Sequence, residues 1–379
     1  MRKYYMDNLR WLTILLLIPY HAAQAWNTWG EPNYIFFEEN RLISSIIVFF
    51  SPFIMPLLFV LAGISTKYAL HKRTIKQYFF ERVKKLLIPF VFGTIVLMPV
   101  LTYLGDKFNY GYTGSFFKHY RVFFTRYTDL IGADGGFSVG QFWFVLYLFV
   151  ISVIFIGVYT VQNKLKVKAK EKKVPYVFVI LSGVLLPLFN ELLSIGGKSL
   201  AEYLYLFLIG YFLLSEEAYL EKTERYKWSF LGVGLVAAIL NVYLFLWFGA
   251  EYAVVNTITK FVAEWCMVLA MLGIGKKFLN FGGKVYRYMS QRSFLFYSLH
   301  FVWVVLFQYV FCDVLKQKTL FLFVVPVILA YVATFLCCEV CIRVPVLCFF
   351  MGAKAVKGDR MVSMKFGKTK ELANFSKKQ

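Results

Sequence analysis

Apolar stretches of 17 to 25 residues recur about ten times along this chain, at roughly 9–25, 42–66, 86–104, 142–162, 175–193, 200–217, 228–249, 255–275, 292–312 and 320–342. A bilayer core is ~30 Å thick and an α-helix rises ~1.5 Å per residue, so each stretch is about long enough to cross. In lipid the backbone amides of a crossing segment must find partners within that segment, which makes helix the solution for runs of this kind. The expected fold is an all-α polytopic membrane protein, a bundle of about ten transmembrane helices. Residues 1–345 form the expected membrane-embedded domain, and 346–379 a basic cytoplasmic tail.

Lysine and arginine orient the bundle. With the N-terminus inside, the cytoplasmic segments carry 33 of them and the outer connections 8. Such a bias places both termini in the cytoplasm. It also accounts for the net charge of +21, so no nucleic-acid partner is expected. The chain is 59% hydrophobic and 17% charged, whereas soluble domains are ~25% charged. The run KLKVKAKEKK at 164–173 reads as a solvated cytoplasmic loop against anionic lipid headgroups. The six cysteines (Cys266, Cys312, Cys337, Cys338, Cys341 and Cys348) have the spacing of neither a disulfide framework nor a zinc site. Arg2, Lys3, an apolar stretch and Ala23 to Ala25 imitate a secretory leader. Asp7, Arg10 and His21 inside that stretch, and nine further spans after it, argue for a retained first helix.

Ionisable side chains in the apolar runs carry the chemistry. His21 lies two thirds of the way along the first run, ~20 Å from Asp7 at helical rise. A titratable group at that depth must pack against other helices or line a wet cavity, and a neutral imidazole can take a hydroxyl proton near neutral pH. His300 lies ~12 Å into the ninth run from Arg292. It either faces His21 across the bundle or bonds a neighbouring helix. Arg82 and Lys85 are three residues apart, so an α-helix would set them on one face at the inner mouth. There they either mark topology or hold ligand phosphates. Lys260 and Glu264, one turn apart, are expected to pair. Small residues Ala62, Gly63 and Ser65 permit close helix approach. The connection at 105–141, with His119, Arg121, Arg126, Asp129 and Asp134, is long enough to be a functional lid. The sequence contains no metal-ligand cluster, phosphate-cradling glycine loop or serine elbow, so no bound cofactor or metal is expected.

Five pieces in order resemble the acyltransferase 3 family of integral-membrane acyltransferases. They are YYMDNLRWLTILLLIPYH with Asp7, Arg10 and His21; LLFVLAGIS; Phe79, Arg82, Lys85 and Pro89 in an F-x-x-R-x-x-R-x-x-x-P-like element; FWF at Phe142 to Phe144; and SFLFYSLH ending at His300. The resemblance covers about residues 4–345. Two positions depart from it. Lys85 stands where the family has a second arginine, which keeps the charge but loses the planar fork, and Gln141 stands where relatives often have histidine.

The resemblance implies transfer of an acyl group, acetyl first, from cytosolic acyl-CoA to a hydroxyl of an envelope glycan or lipid-linked glycan outside. Arg82 and Lys85 would hold donor phosphates, with Asp7 and Arg10 shaping the inner entrance. His21 would serve the acceptor as base or acyl carrier, and His300 is the second candidate catalytic residue. The competing expectation is a transporter or flippase. The chain has no internal repeat and no pair of broken helices at corresponding positions in two halves, which argues against that.

Overall fold

The computed structural model describes residues 3–31, 33–127, 130–133, 136–164, 174–315 and 319–353. Asp129, Asp134, the basic run from 165 and the tail from 354 lie outside them. Among the described residues the regular structure is helical apart from one hairpin of two-residue strands and two isolated bridges.

The first apolar stretch folds as two helices, α1 (Tyr4–Leu15) and α2 (Leu17–Ala23), continued by a 3-10 turn at Gln24–Trp26. Pro19 explains the break. It has no amide hydrogen for the Leu15 carbonyl four residues back, and the Tyr331 hydroxyl donates to that carbonyl instead, at 2.6 Å. Next comes α3 (Arg41–Leu70), whose first turn is capped by the Asn40 side chain accepting from the Ile43 amide. Helix α4 (Ile75–Arg82) opens with a reciprocal capping box between Thr74 and Gln77. It continues through a wide π turn, Val83–Leu87, into α5 (Ile88–Val96) and α6 (Met98–Tyr110). Pro89 again cannot donate to the fourth carbonyl back, and the turn before it widens.

The long connection contains α7 (Phe116–Thr125) and leads to α8 (Trp143–Lys164). The fifth apolar stretch is broken into α9 (Val177–Leu181) and α10 (Leu186–Asn190). An antiparallel hairpin, β1 (Ser194–Ile195) with β2 (Lys198–Ser199), follows and sets Ser194 opposite Ser199. Then come α11 (Leu200–Phe212), α12 (Glu217–Arg225), α13 (Lys227–Tyr243), α14 (Ala253–Phe278), α15 (Lys284–Leu315), α16 (Thr319–Arg343) and α17 (Pro345–Phe350).

Seven helices among the described residues are long and apolar enough to cross a membrane: Arg41–Leu70, Ile75–Tyr110, Gly140–Gln162, Lys227–Phe248, Ala253–Phe278, Lys284–Cys312 and Thr319–Arg343. The chain is an α-helical integral membrane protein. The other three expected spans are helical but interrupted or short: the first at Leu16, the fifth over Val177–Asn190, and the sixth over Leu200–Phe212. Helix α3 is central, with 67% of its apolar window buried by protein, whereas α16 buries 22% and presents the rest outward.

Close backbone approach joins the central pair. A Cβ on Gly63 of α3 would come 2.0 Å from the Phe207 carbonyl of α11, and one on Gly210 of α11 would come 2.3 Å from the Val60 carbonyl of α3. Each glycine makes room for the other helix's backbone, as small residues do where helices pack in lipid. Helices α13 and α14, and α15 and α16, form the other closely packed pairs.

Candidate active site

The break at Leu16 gives α2 its own direction, and α2 carries His21. Two contacts hold its far end. Gln308 of α15 donates to the Ala22 carbonyl at 2.9 Å, and Ser44 of α3 donates to the Trp26 carbonyl at 2.8 Å. These satisfy carbonyls that a helix end leaves open. The His21 ring stacks on Phe301 at a centroid distance of 4.1 Å and meets Tyr20 edge-on at 5.3 Å.

His300 lies beside it, the two imidazoles 5.2 Å apart between centroids. The side-chain hydrogen bonds of His300 run to carbonyls of its own helix rather than to a neighbouring one. His300 is fully buried, and its Nδ1 donates to the Tyr297 carbonyl at 2.7 Å. A carbonyl can only accept, so Nδ1 carries the hydrogen and, in the neutral ring, Nε2 keeps its lone pair. That Nε2 is buried without a hydrogen-bond partner, as is Nδ1 of His21.

His21 forms part of the wall of a cavity of about 250 Å³. The cavity lies at the end of the bundle where residues 33–34, 131–133, 140–141 and the hairpin gather, the end expected to face outward. Its wall is polar for a membrane protein. Gln141 is buried, with Nε2 toward the Ser298 carbonyl and Oε1 unpartnered, while its own carbonyl accepts from the Tyr297 hydroxyl. Two buried carboxyl groups, Glu202 of α11 and Glu264 of α14, also line it, close enough to share a proton. Asn190 of α10 donates to Glu202. Lys198 and Lys260 complete this wall.

The expected Lys260–Glu264 ion pair is absent. Among the described residues Lys260 makes no ion pair within 4 Å; it acts on both carboxyl groups at longer range, and Glu264 bonds Glu202 instead. Adjacent turns of one helix put the two residues near each other, but α11 brings a closer partner to Glu264. Burial pushes the amine of Lys198, on the hairpin, below its ordinary range, with Glu202 and Glu31 drawing it back up.

The roof is held by strained and charged contacts. Tyr34 adopts a left-handed backbone, φ 66°, and its amide donates to the Ala133 carbonyl at 3.0 Å. Gly105 lets α6 pass under it, since a Cβ there would lie 3.1 Å from the Tyr34 carbonyl. Below the long connection, buried Asp106 accepts from His119 at 2.6 Å and from Arg126 at 2.7 Å, tying α7 to α6. Two of the loop residues noted in the sequence therefore brace the roof.

At the opposite end of α1, Asp7 and Arg10 pair at 2.7 Å. Asp7 also accepts from Tyr286 of α15 at 2.7 Å, while Arg10 donates to the Leu61 carbonyl at 3.0 Å and to Ser65 of α3. The two residues lock three helices together. Arg82 is close enough to act on Arg10 electrostatically, lies 4.5 Å above the Tyr78 ring and keeps a buried, unpartnered Nε. Lys85 is exposed and bonds Glu81 at 3.3 Å. The π turn begins directly after Arg82, so the three-residue spacing no longer has α-helical angular meaning. Arg10, Asp7 and Arg82 are brought together; Lys85 has a separate partner.

Glu202, Asn190 and Lys198 were not singled out as site residues in the sequence. Glu202 carried a signal, a carboxylate inside an apolar run, but Lys198 had the look of an ordinary connection residue.

Comparison with known proteins agrees with this picture. A family profile described as an acyltransferase domain matches residues 3–343. Glucans biosynthesis protein C of Salmonella heidelberg (strain SL476) is 22% identical over 329 residues, covering 79% of this chain and 81% of that protein. The proteins of the same name from Salmonella typhi and Salmonella typhimurium give the same identity and coverage. No solved structure matches. With the profile spanning nearly the whole chain, this protein belongs to the acyltransferase 3 family.

Proposed function

We propose that this protein moves an acyl group from a cytosolic acyl-CoA, acetyl first, to a hydroxyl of an envelope glycan or lipid-linked glycan across the membrane, the plasma (inner) membrane if the source is bacterial. The observation that carries the reading is the His21–His300 pair at the polar cavity. The name of the Salmonella relatives supports a glucan-type acceptor.

In this reading an acceptor hydroxyl enters from the end roofed by Asn33, Tyr34 and the hairpin. Its oxygen attacks the thioester carbonyl while His21 takes its proton. The C–S bond then breaks, and the departing thiolate recovers a proton to leave as the free thiol. His300, held by Tyr297, keeps the neighbouring ring in place and offers a second lone pair. General-base help of this kind is worth ~10²–10⁴-fold in rate. Arg82, supported by Arg10 and Asp7, offers an inner site for donor phosphates, with Lys85 at its edge. Membrane lipids surround the bundle, and the mechanism needs no bound cofactor.

The test uses membranes containing the intact chain or His21→Ala at equal expression. Each receives acetyl-, succinyl- or longer acyl-CoA labelled in the acyl group, and label is followed into glycan and lipid fractions. Label that depends on His21 establishes the transfer and its acceptor fraction. Silence with every donor, together with donor-free uptake of glycan into vesicles, would replace it with the transporter reading.

A further inference from the structure

The cavity that His21 lines has a chemical signature of its own. Two kinds of group meet there. Glu264 Oε1 and Gln141 Oε1 are acceptor atoms, both buried and both without a hydrogen-bond partner. The side chains are 1% and 4% exposed, so bulk water does not serve them. Lys198 and Lys260 line the same space and make no ion pair within 4 Å among the described residues; the Lys198 amine lies 5.8 Å from the centre of the Trp143 ring, itself part of the lining. An unmet buried polar atom costs ~1–3 kcal/mol, so an occupant that satisfies these groups gains affinity.

A ligand carboxylate only accepts, and leaves Glu264 and Gln141 unmet. A ligand ammonium only donates, and meets two lysines. A hydroxyl does both. The cavity's 250 Å³ corresponds to roughly eight water volumes at ~30 Å³ each, which suits one sugar ring. Trp143 and Tyr203, their rings 5.3 Å apart, add an aromatic wall for the flat side of such a ring.

We infer that Glu264, Gln141, Lys198 and Lys260 form the acceptor-sugar subsite, and that this mixed wall selects an uncharged, hydroxyl-rich ring over an amino sugar. Glu202 and Asn190 position Glu264 rather than touching the sugar. The inference rests on the acyl-transfer reading for its biological meaning, but its test needs no acyl donor.

The test measures equilibrium binding to the full-length chain in lipid nanodiscs. The probes are a radiolabelled gluco-trisaccharide and its glucosamine counterpart, at a pH where the amines are protonated. The wild type is expected to bind the neutral probe at least tenfold more tightly. Glu264→Gln should weaken the neutral probe about tenfold, because the amide places an NH₂ donor on a group that otherwise offers an unmet oxygen acceptor. Lys198→Met with Lys260→Met should narrow the neutral-to-amino ratio by tenfold or more. A purely structural defect would weaken both probes by one factor and leave the ratio unchanged. An unchanged ratio overturns the inference, and so does a wild type that binds neither probe at millimolar concentration. If Glu264→Gln does not fold, Gln141→Leu is the substitute, with the same loss expected for the neutral probe. A shifted ratio in a protein that transfers no acyl group would keep the subsite and remove only the enzymatic reading.

Discussion

His21 and Asp7 show how differently two charges in one helix are used. His21 has a stacked neighbour, a second imidazole 5.2 Å away and an unpartnered Nδ1. Replacing it with alanine should lower acyl transfer by ~10²–10⁴-fold while leaving the melting temperature in detergent nearly unchanged; near-wild-type initial rates would remove the base assignment. Asp7 is saturated by Arg10 and Tyr286. Asp7→Asn should cost ~1–3 kcal/mol of stability, the scale of a lost charge-assisted hydrogen bond, read as earlier thermal denaturation. His21 was legible in the sequence because a titratable group among leucines and isoleucines stands out. That His300 would be its neighbour was not, since the two are 279 positions apart and only the packing of α15 against α2 joins them.

Elements are shaped here by prolines and glycines whose effects depend on neighbours. Pro19 frees the Leu15 carbonyl, and Tyr331 of α16 takes it up. Tyr331→Phe should cost ~1–3 kcal/mol by leaving that acceptor unmet and should loosen α2, a change that hydrogen exchange at the amides of α2 would register. Gly63→Ala should break the α3–α11 contact, because a Cβ 2.0 Å from a carbonyl forces the helices apart. Overpacking of this sort costs ~1–3 kcal/mol. Gly157→Ala in α8 meets no atom within 4 Å and should be neutral or stabilising by ~0.4–1 kcal/mol. Thermal denaturation of the two variants side by side reads the contrast. The role of Gly63 was legible from its small neighbours. The π turn after Arg82 was not, and it removed the ground for placing Lys85 on the same face.

For the whole molecule, the distribution of lysine and arginine predicts which face is cytoplasmic. In a cysteine-depleted background, an impermeant maleimide should label Thr113→Cys from outside and Lys72→Cys only after the membrane is opened. Labelling of Lys72→Cys but not Thr113→Cys in sealed cells would invert the topology and with it the direction of acyl transfer. The lateral order of helices has no such signal in the chain. The burial of α3 and the outward face of α16 follow from which helices pair.

The division between what is local and what is not runs through all of this. Hydropathy, helix length and charge bias are sums over neighbouring residues, so the chain alone specified a helical membrane protein, marked His21 and carried the ordered motifs of its family. The cavity is a different kind of object. Its wall joins residues of α2, α10, α11, α14 and α15, and its roof comes from three separate connections. Whether Glu264 faces Lys260, Glu202 or lipid depends on how α11 and α14 are turned toward each other. That rotation is set by close contacts such as Gly63 on Phe207 and by proline-driven breaks. Such contacts exist only once distant segments have met, and so the folded bundle, not the linear pattern, gathered the carboxyl pair and the lysines around the cavity that His21 lines.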